Sequence, residues 1–233
     1  MIGRRLREHL QAGRCVGMIN PNHVSISLAA KLSELGAHAI FIDCEHGSAG
    51  FDDVRSMAHA ARGAGGGAII RPDSHQRSLL IRYLNCGADG LMVPLVNTAE
   101  QARAVVDAVR YGCPDSYEDR LVVAMIETVE AVENLDSILA VDGIDVFFVG
   151  PGDLSQSMGY LPTVPAGQRR PNDVLERVRD TLARINRAGK IAGTLVTPED
   201  AAEWRQAGAL FHYFHADPML NAGVSRMRQL LDS

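Results

Sequence analysis

The chain has 233 residues, 46% of them apolar and 22% charged, with a formal net charge of −5. That length suits one α/β barrel, which needs about 250 residues around a single core, and leaves no room for a second domain. The acidic balance argues against nucleic acid or an anionic membrane surface as a partner, and no apolar run reaches the length of a membrane span, so small molecules are the expected ligands.

At the N-terminus, Met1-Ile2-Gly3-Arg4-Arg5 runs into charged residues without an apolar signal core, and a cytoplasmic protein is expected. The cysteines Cys15, Cys44, Cys86 and Cys113 form no Cys-x-x-Cys pair and read as free thiols, not as a zinc knot or disulfide framework. Strands are expected at 15–19, 38–43, 67–71, 89–93, 121–126, 145–149, 191–195 and 210–214, with helices between them. The second strand, Ala39-Ile40-Phe41-Ile42, runs into Asp43-Cys44-Glu45-His46-Gly47. Ahead of the third, Gly63-Ala64-Gly65-Gly66-Gly67 has the composition of a phosphate loop, but such loops follow a strand where this one precedes it, so it reads as a helix stop. That strand, Ala68-Ile69-Ile70, ends in Arg71.

Thr98 with Gln101 predicts a capping box ahead of a helix that places Ala102, Val105, Val106 and Val109 on one face. The fifth strand, Leu121 to Ile126, runs into Glu127, and the sixth, Val146 to Val149, into Gly150-Pro151-Gly152-Asp153. Residues 160–171, rich in Pro, Gly and Arg, read as a long surface loop. Lys190 opens the seventh strand on the stability face of a barrel, and Thr197-Pro198-Glu199-Asp200 predicts the start of the following helix. A glycine, a short turn and a buried strand recur at Gly36, Gly87, Gly143 and Gly208, spaced by roughly two βα units each, which fits an eight-unit barrel better than an open sheet.

A parallel barrel delivers the C-terminal residue of every strand to one face, so these charges converge on one pocket. Glu127 and Asp153 together offer two carboxylates to one magnesium, manganese or cobalt ion, leaving most of an octahedron for substrate oxygens; each alone reads equally well as a helix cap. Asp43 and His46 form a candidate acid/base pair, with the carboxylate orienting the imidazole. Arg71 suits a developing oxyanion, the alternative being a salt bridge to a neighbouring strand-end acid. The two lysines, Lys31 and Lys190, are badly placed for a Schiff base, so an enolate would need a metal as its electron sink. Asn22, His23, His212 and His215 are further candidates for the pocket wall, with surface or packing roles as the alternative.

In joint order over nearly the whole chain, Ile42-Asp43-Cys44-Glu45-His46-Gly47, Gly87-Ala88-Asp89-Gly90-Leu91-Met92-Val93-Pro94, Ile126-Glu127-Thr128 with Val132-Glu133-Asn134-Leu135, and Val149-Gly150-Pro151-Gly152-Asp153-Leu154-Ser155 resemble the HpcH/HpaI family of divalent-metal-dependent (class II) 2-oxo-acid aldolases. The resemblance implies a single-domain (β/α)8 TIM barrel, often a homo-oligomer (a trimer or hexamer) with an exchanged C-terminal helix. It implies a metal on Glu127 and Asp153, and the amides of Gly152 and Asp153 at the substrate carboxylate. Arg71 would stabilise the enolate and the aldol oxyanion, with His46 and Asp43 moving the proton of the C4 hydroxyl. The implied reaction is reversible cleavage of a 4-hydroxy-2-oxo acid to pyruvate, or a close relative, and an aldehyde.

Met125 stands where many members have a glutamine beside the substrate, and Met18 where many have a tryptophan. The segment before the fifth strand is shorter than usual, and Phe214-His215-Ala216-Asp217 replaces a glycine-serine-aspartate ending of the eighth strand. Rival readings are decarboxylation of an oxaloacetate-like acid, cleavage as in the malyl-CoA and citrate lyase branch, and a non-catalytic barrel that binds a 2-oxo acid. A mere binder would not need the Asp43 and His46 pair, and no long basic groove for CoA is evident.

Overall fold

In the computed structural model, which describes residues 2–164 and 168–232, eight parallel strands close in sequence order into one barrel. They are β1 (Val16–Asn20), β2 (Ala39–Asp43), β3 (Gly67–Arg71), β4 (Gly90–Val93), β5 (Leu121–Ile126), β6 (Val146–Val149), β7 (Ala192–Leu195) and β8 (Ala209–His215), each bound lying within one residue of the expected one. β8 pairs with β1 from Val16↔Phe211 to Asn20↔His215 and closes the ring.

Three of the four recurring turn phrases act as helix stops. Gly36, Gly87 and Gly208, with φ of 106, 98 and 95°, directly follow the cap residues Leu35, Cys86 and Ala207 in the left-handed conformation that ends a helix without a Cβ clash, whereas Gly143, φ 97°, lies in a turn beyond the cap residue Ala140. The helix Phe51–Gly63 stops within the glycine-rich stretch, and β3 begins at Gly67. Thr98 Oγ1 accepts from Gln101 N at 3.2 Å while Gln101 Oε1 accepts from Thr98 N at 3.1 Å, so the capping box is formed.

One helix start is corrected: the regular helix runs from Ala201 to Gln206, not from Pro198. Asp200 Oδ1 accepts from Thr197 N at 2.6 Å and ties residues 197–200 into a turn ahead of it. The described residues of the 160–171 segment carry no helix or strand, as expected, and 165–167 lie outside the described residues.

The strands alternate in register with two cores. Val16 and Met18, Ala39 and Phe41, Ile69, Val123 and Met125, Val146 and Phe148, and Phe211 and Tyr213 pack with Leu6 and Leu10 inside the barrel. Intervening residues such as Ile40, Ile70, Ala124 and Phe147 pack outward against the helices. Burial on both faces is why these strands read as continuous apolar runs. Because side chains alternate with period two, one further step on the inner face reaches Asn20, Asp43, Arg71, Glu127, Gly150 and His215 at the C-terminal mouth.

The helix Ile2–Gln11 buries Leu6 and Leu10, and a Cβ on Gly67 at the start of β3 would lie 2.8 Å from Ile2, which places this helix under the N-terminal end of the barrel. At the other end of the chain, the helix Ala216–Leu231 buries only Ala216. Leu220, Val224, Met227 and Leu231 recur at helical spacing on it and are 49 to 76% exposed. Among the described residues no helix is long and apolar enough to cross a membrane.

Candidate active site

The mouth of the barrel holds a cavity of about 720 Å³, and Asp43, His46, Arg71, Met125, Glu127, Gly152 and Asp153 all line it. Every residue given a catalytic, substrate or metal role from sequence thus faces one space. No lysine is among the lining residues.

β2 and β3 pair in register with Asp43 opposite Arg71, and the two side chains meet as a fork: Nε to Oδ1 at 2.9 Å and Nη2 to Oδ2 at 2.6 Å. Arg71 Nη1 lies 3.0 Å from Glu45 Oε2. The salt-bridge alternative for Arg71 is therefore present, and it leaves donor capacity toward the cavity, since two of the five guanidinium N–H groups are hydrogen-bonded, both to Asp43. Burial alone would raise the Asp43 carboxyl; the Arg71 guanidinium, with the N–H groups of His46 and Glu45, outweighs it and holds Asp43 below the ordinary value. Burial likewise works against the Arg71 charge, and Asp43 and Glu45 overcome it, so Arg71 is held cationic.

The expected side-chain pairing of Asp43 with His46 is not the one found. Asp43 Oδ1 accepts instead from the backbone N–H of Glu45 at 3.1 Å and of His46 at 3.2 Å. The reason is the tightness of the turn, in which a Cβ on Gly47 would lie 2.1 Å from the Asp43 carbonyl oxygen. Asp43 thus sets where His46 leaves the backbone, while the imidazole stands 65% exposed at the cavity rim, 3.9 Å from Glu45 Oε2. Cys44 in the same turn is no nucleophile, because burial raises its thiol to about 11.

Glu127, one residue past β5, is 1% exposed. Its Oε1 accepts from Leu95 N at 2.8 Å, and its Oε2 is buried without a hydrogen-bond partner among the described residues. Burial, then the charge of Asp153, raise this carboxyl to about 8 against the pull of the Leu95 N–H and Arg71. Leu95 holds its N–H there from a left-handed backbone, φ 52°, which few residues other than glycine adopt. Gly150 leaves the space beside the orphaned oxygen, where a Cβ would come within 2.5 Å of it. Asp153 lies in the first turn of the helix Pro151–Ser157, which no side chain caps. Gly150→Ala should therefore displace the carboxylate and cost about 1 to 3 kcal/mol of stability, read as a lower Tm.

Comparison with known proteins agrees with this geometry. Residues 21–220 match the model of the HpcH/HpaI aldolase/citrate lyase family. The chain belongs to that family. A 2-keto-3-deoxy-L-rhamnonate aldolase of Klebsiella pneumoniae is 35% identical over 83% of this chain and 81% of its own. An HpcH/HpaI aldolase/citrate lyase family protein of Burkholderia cenocepacia superposes with a TM-score of 0.87 at 25% identity, covering 99% of this chain and 100% of that one. The citrate synthase SbnG superposes with a TM-score of 0.84 at 27% identity, over 98 and 99% of the two chains. This HpcH/HpaI member is an enzyme of the aldolase class.

Some residues of this family member's site had no role in the sequence reading. Glu45 was part of a recognised phrase but had no partner until Arg71 was placed beside it. Leu95 carries no sequence signal, since an N–H contact depends on backbone conformation alone. Arg170 lines the cavity and donates to Ser155 Oγ at 3.0 Å and Pro162 O at 2.9 Å, tying Pro162 to the helix Pro151–Ser157 at the cavity wall. Asn22, His23 and His215 line the cavity, whereas His212 points away from it and bonds the Ala209 carbonyl oxygen at 2.9 Å.

Proposed function

We propose that the protein reversibly cleaves a 4-hydroxy-2-oxo acid to pyruvate, or a close 2-oxo acid, and an aldehyde, using a divalent cation held by Glu127 and Asp153. The observation that carries this reading is the buried Glu127 oxygen without a partner, beside an acid that pushes it further up and a glycine that leaves it room. Two carboxylates fit magnesium, manganese or cobalt. When bound, such a cation supplies the Lewis acidity that spreads the charge left by carbon–carbon cleavage.

The chain's own groups account for the rest. The open amides at the start of the helix Pro151–Ser157, at Gly152 and Asp153, receive the substrate carboxylate, and Met125 packs on the carbon skeleton. Arg71, oriented by Asp43 and Glu45, keeps N–H groups free of hydrogen bonds to Asp43 for the oxygen on which negative charge develops. His46 takes the proton of the C4 hydroxyl during cleavage and returns it during addition. His46→Ala is then expected to lose about 10²- to 10⁴-fold in turnover while still binding cation and pyruvate. Aldol turnover that survives this substitution would remove His46 from the mechanism.

The likeness to a citrate synthase favours a second reading, citrate-lyase-like cleavage or decarboxylation of an oxaloacetate-like acid on the same site. Release of CO₂ without aldehyde in the same assay separates decarboxylation from aldol cleavage.

The reading includes a cytoplasmic homo-oligomer. The unpartnered apolar row on the helix Ala216–Leu231 supports an exchange of that helix with another copy, and the four free thiols fit a reducing compartment.

A further inference from the structure

We propose that the ends of β1 and β8 form an acceptor subsite in which two neutral donors, the His215 Nε2–H and the Tyr213 hydroxyl, bind hydroxyl oxygens of the aldehyde half, so that the substrate is a polyhydroxylated 2-oxo acid and not an alkyl one. The inference rests on the aldolase reading and specifies its substrate class.

Tyr213 and His215 lie two residues apart on the inner face of β8, and both line the cavity that holds Arg71. Opposite them in register are Met18 and Asn20 of β1. A chain of amides fixes the polarity of both rings. Asn22 Oδ1 accepts from Asp217 N at 3.1 Å, so the NH₂ end of that amide faces His215 and donates to its Nδ1 at 2.8 Å. A ring nitrogen that accepts carries no proton, and the neutral imidazole therefore holds its proton on Nε2. Asn22 sits in a left-handed conformation, φ 63°, with its N–H on Asn20 Oδ1 at 2.8 Å. Asn20 Nδ2 in turn donates to the Tyr213 hydroxyl oxygen at 2.8 Å, which leaves the phenolic proton to be given elsewhere.

Neither of these two donors has an acceptor among the described residues. The rings are braced by each other at 4.8 Å between centroids and by Phe41 against Tyr213 at 4.7 Å. Burial holds His215 below its ordinary value, with Arg71 acting in the same direction and Asp43 and Asp217 against it. Burial also raises Tyr213, so both groups stay neutral near pH 7.

Two neutral donors, the buried Tyr213 hydroxyl and the half-buried His215 N–H, match hydroxyl oxygens and do not offset a second carboxylate. An alkyl aldehyde would leave both unpaired, a loss of about tenfold for each donor.

The test is aldol addition of pyruvate to glyceraldehyde and to propanal with manganese, read as the ratio of the two kcat/KM values. Wild type should favour glyceraldehyde. His215→Phe and Tyr213→Phe should each lower the ratio about tenfold, mainly through KM, and His215→Gln, which keeps an N–H donor, should recover part of it. Asn22→Gly, compatible with the left-handed backbone but without the amide, should act in the same direction as His215→Phe, more weakly. A ratio unchanged in both phenylalanine variants overturns the inference and leaves the aldolase reading standing; wild type that adds pyruvate to neither aldehyde overturns both. As a readout free of turnover, the ¹⁵N signals of His215 should report an Nε2–H tautomer and shift with glyceraldehyde but not with propanal. An Nδ1–H tautomer overturns the inference.

Discussion

Glu127→Gln should abolish cation-dependent turnover while leaving the barrel folded, and in metal-free protein it should raise stability at alkaline pH. The two effects share one cause. Glu127 is a buried acid with one oxygen bonded to Leu95 and the other to nothing among the described residues, and glutamine keeps the shape without the charge.

In metal-free protein the carboxyl is raised to about 8 by burial and by Asp153. The native state then holds a proton that the unfolded state releases at the ordinary carboxylate value. Stability must therefore fall as pH rises between about 5 and 8, by ~1.4 kcal/mol per unit at most. Glutamine removes that slope, and melting temperatures measured with a chelator across this range will show it. If Glu127 holds the cation as proposed, the cation would displace the proton, so its affinity should climb over the same window and its addition should raise Tm. A Gln variant that keeps both the pH slope and the cation response would mean that Glu127 is not the ligand.

Arg71→Ala is the second large effect, a loss of about 10²- to 10³-fold in kcat, or ~3 to 4 kcal/mol of transition-state stabilisation. It also strands Asp43 and Glu45 as a like-charged pair whose side chains are only 13 and 17% exposed. Breaking such a pair costs several kcal/mol of stability. Arg71→Lys separates the two roles. It restores a positive charge and much of the stability, but a point charge cannot replace the planar fork that engages Asp43 at 2.9 and 2.6 Å. Turnover should stay low in the lysine variant. Recovery of full turnover there would show that charge alone suffices and that the orientation by Asp43 is unimportant.

The barrel and its mouth were legible because short apolar runs end in a charged residue or a glycine and a parallel barrel delivers those ends to one face; in the structure inner and outer residues then alternate along the strands. Phe41 predicts Asp43, Ile69 predicts Arg71 and Met125 predicts Glu127 on the cavity side. The same rule, applied to Phe211 and Tyr213, separates His215 in the cavity from His212 outside it, a distinction that residue type alone does not make. Which charges pair was not legible. Asp43 is three residues from His46 and far in sequence from Arg71, yet the register Asp43↔Arg71 decides its partner, and Gly47 folds the turn so that His46 offers its N–H in place of its ring. Leu95 was invisible because its part is played by a backbone N–H in a left-handed conformation. The start at Ala201 was missed because the Asp200 side chain closes on Thr197, giving a turn the composition of a helix N-terminus.

The most direct measurement is proton NMR of pyruvate in heavy water with the enzyme and added magnesium, manganese or cobalt, following loss of the methyl signal before and after a chelator. It requires no knowledge of the aldehyde. Exchange that depends on the cation, stops with chelator and is absent in Glu127→Gln is the predicted result. Methyl signals that persist with every cation, or exchange that continues unchanged in the Gln variant, would contradict cation-assisted chemistry on pyruvate at this site.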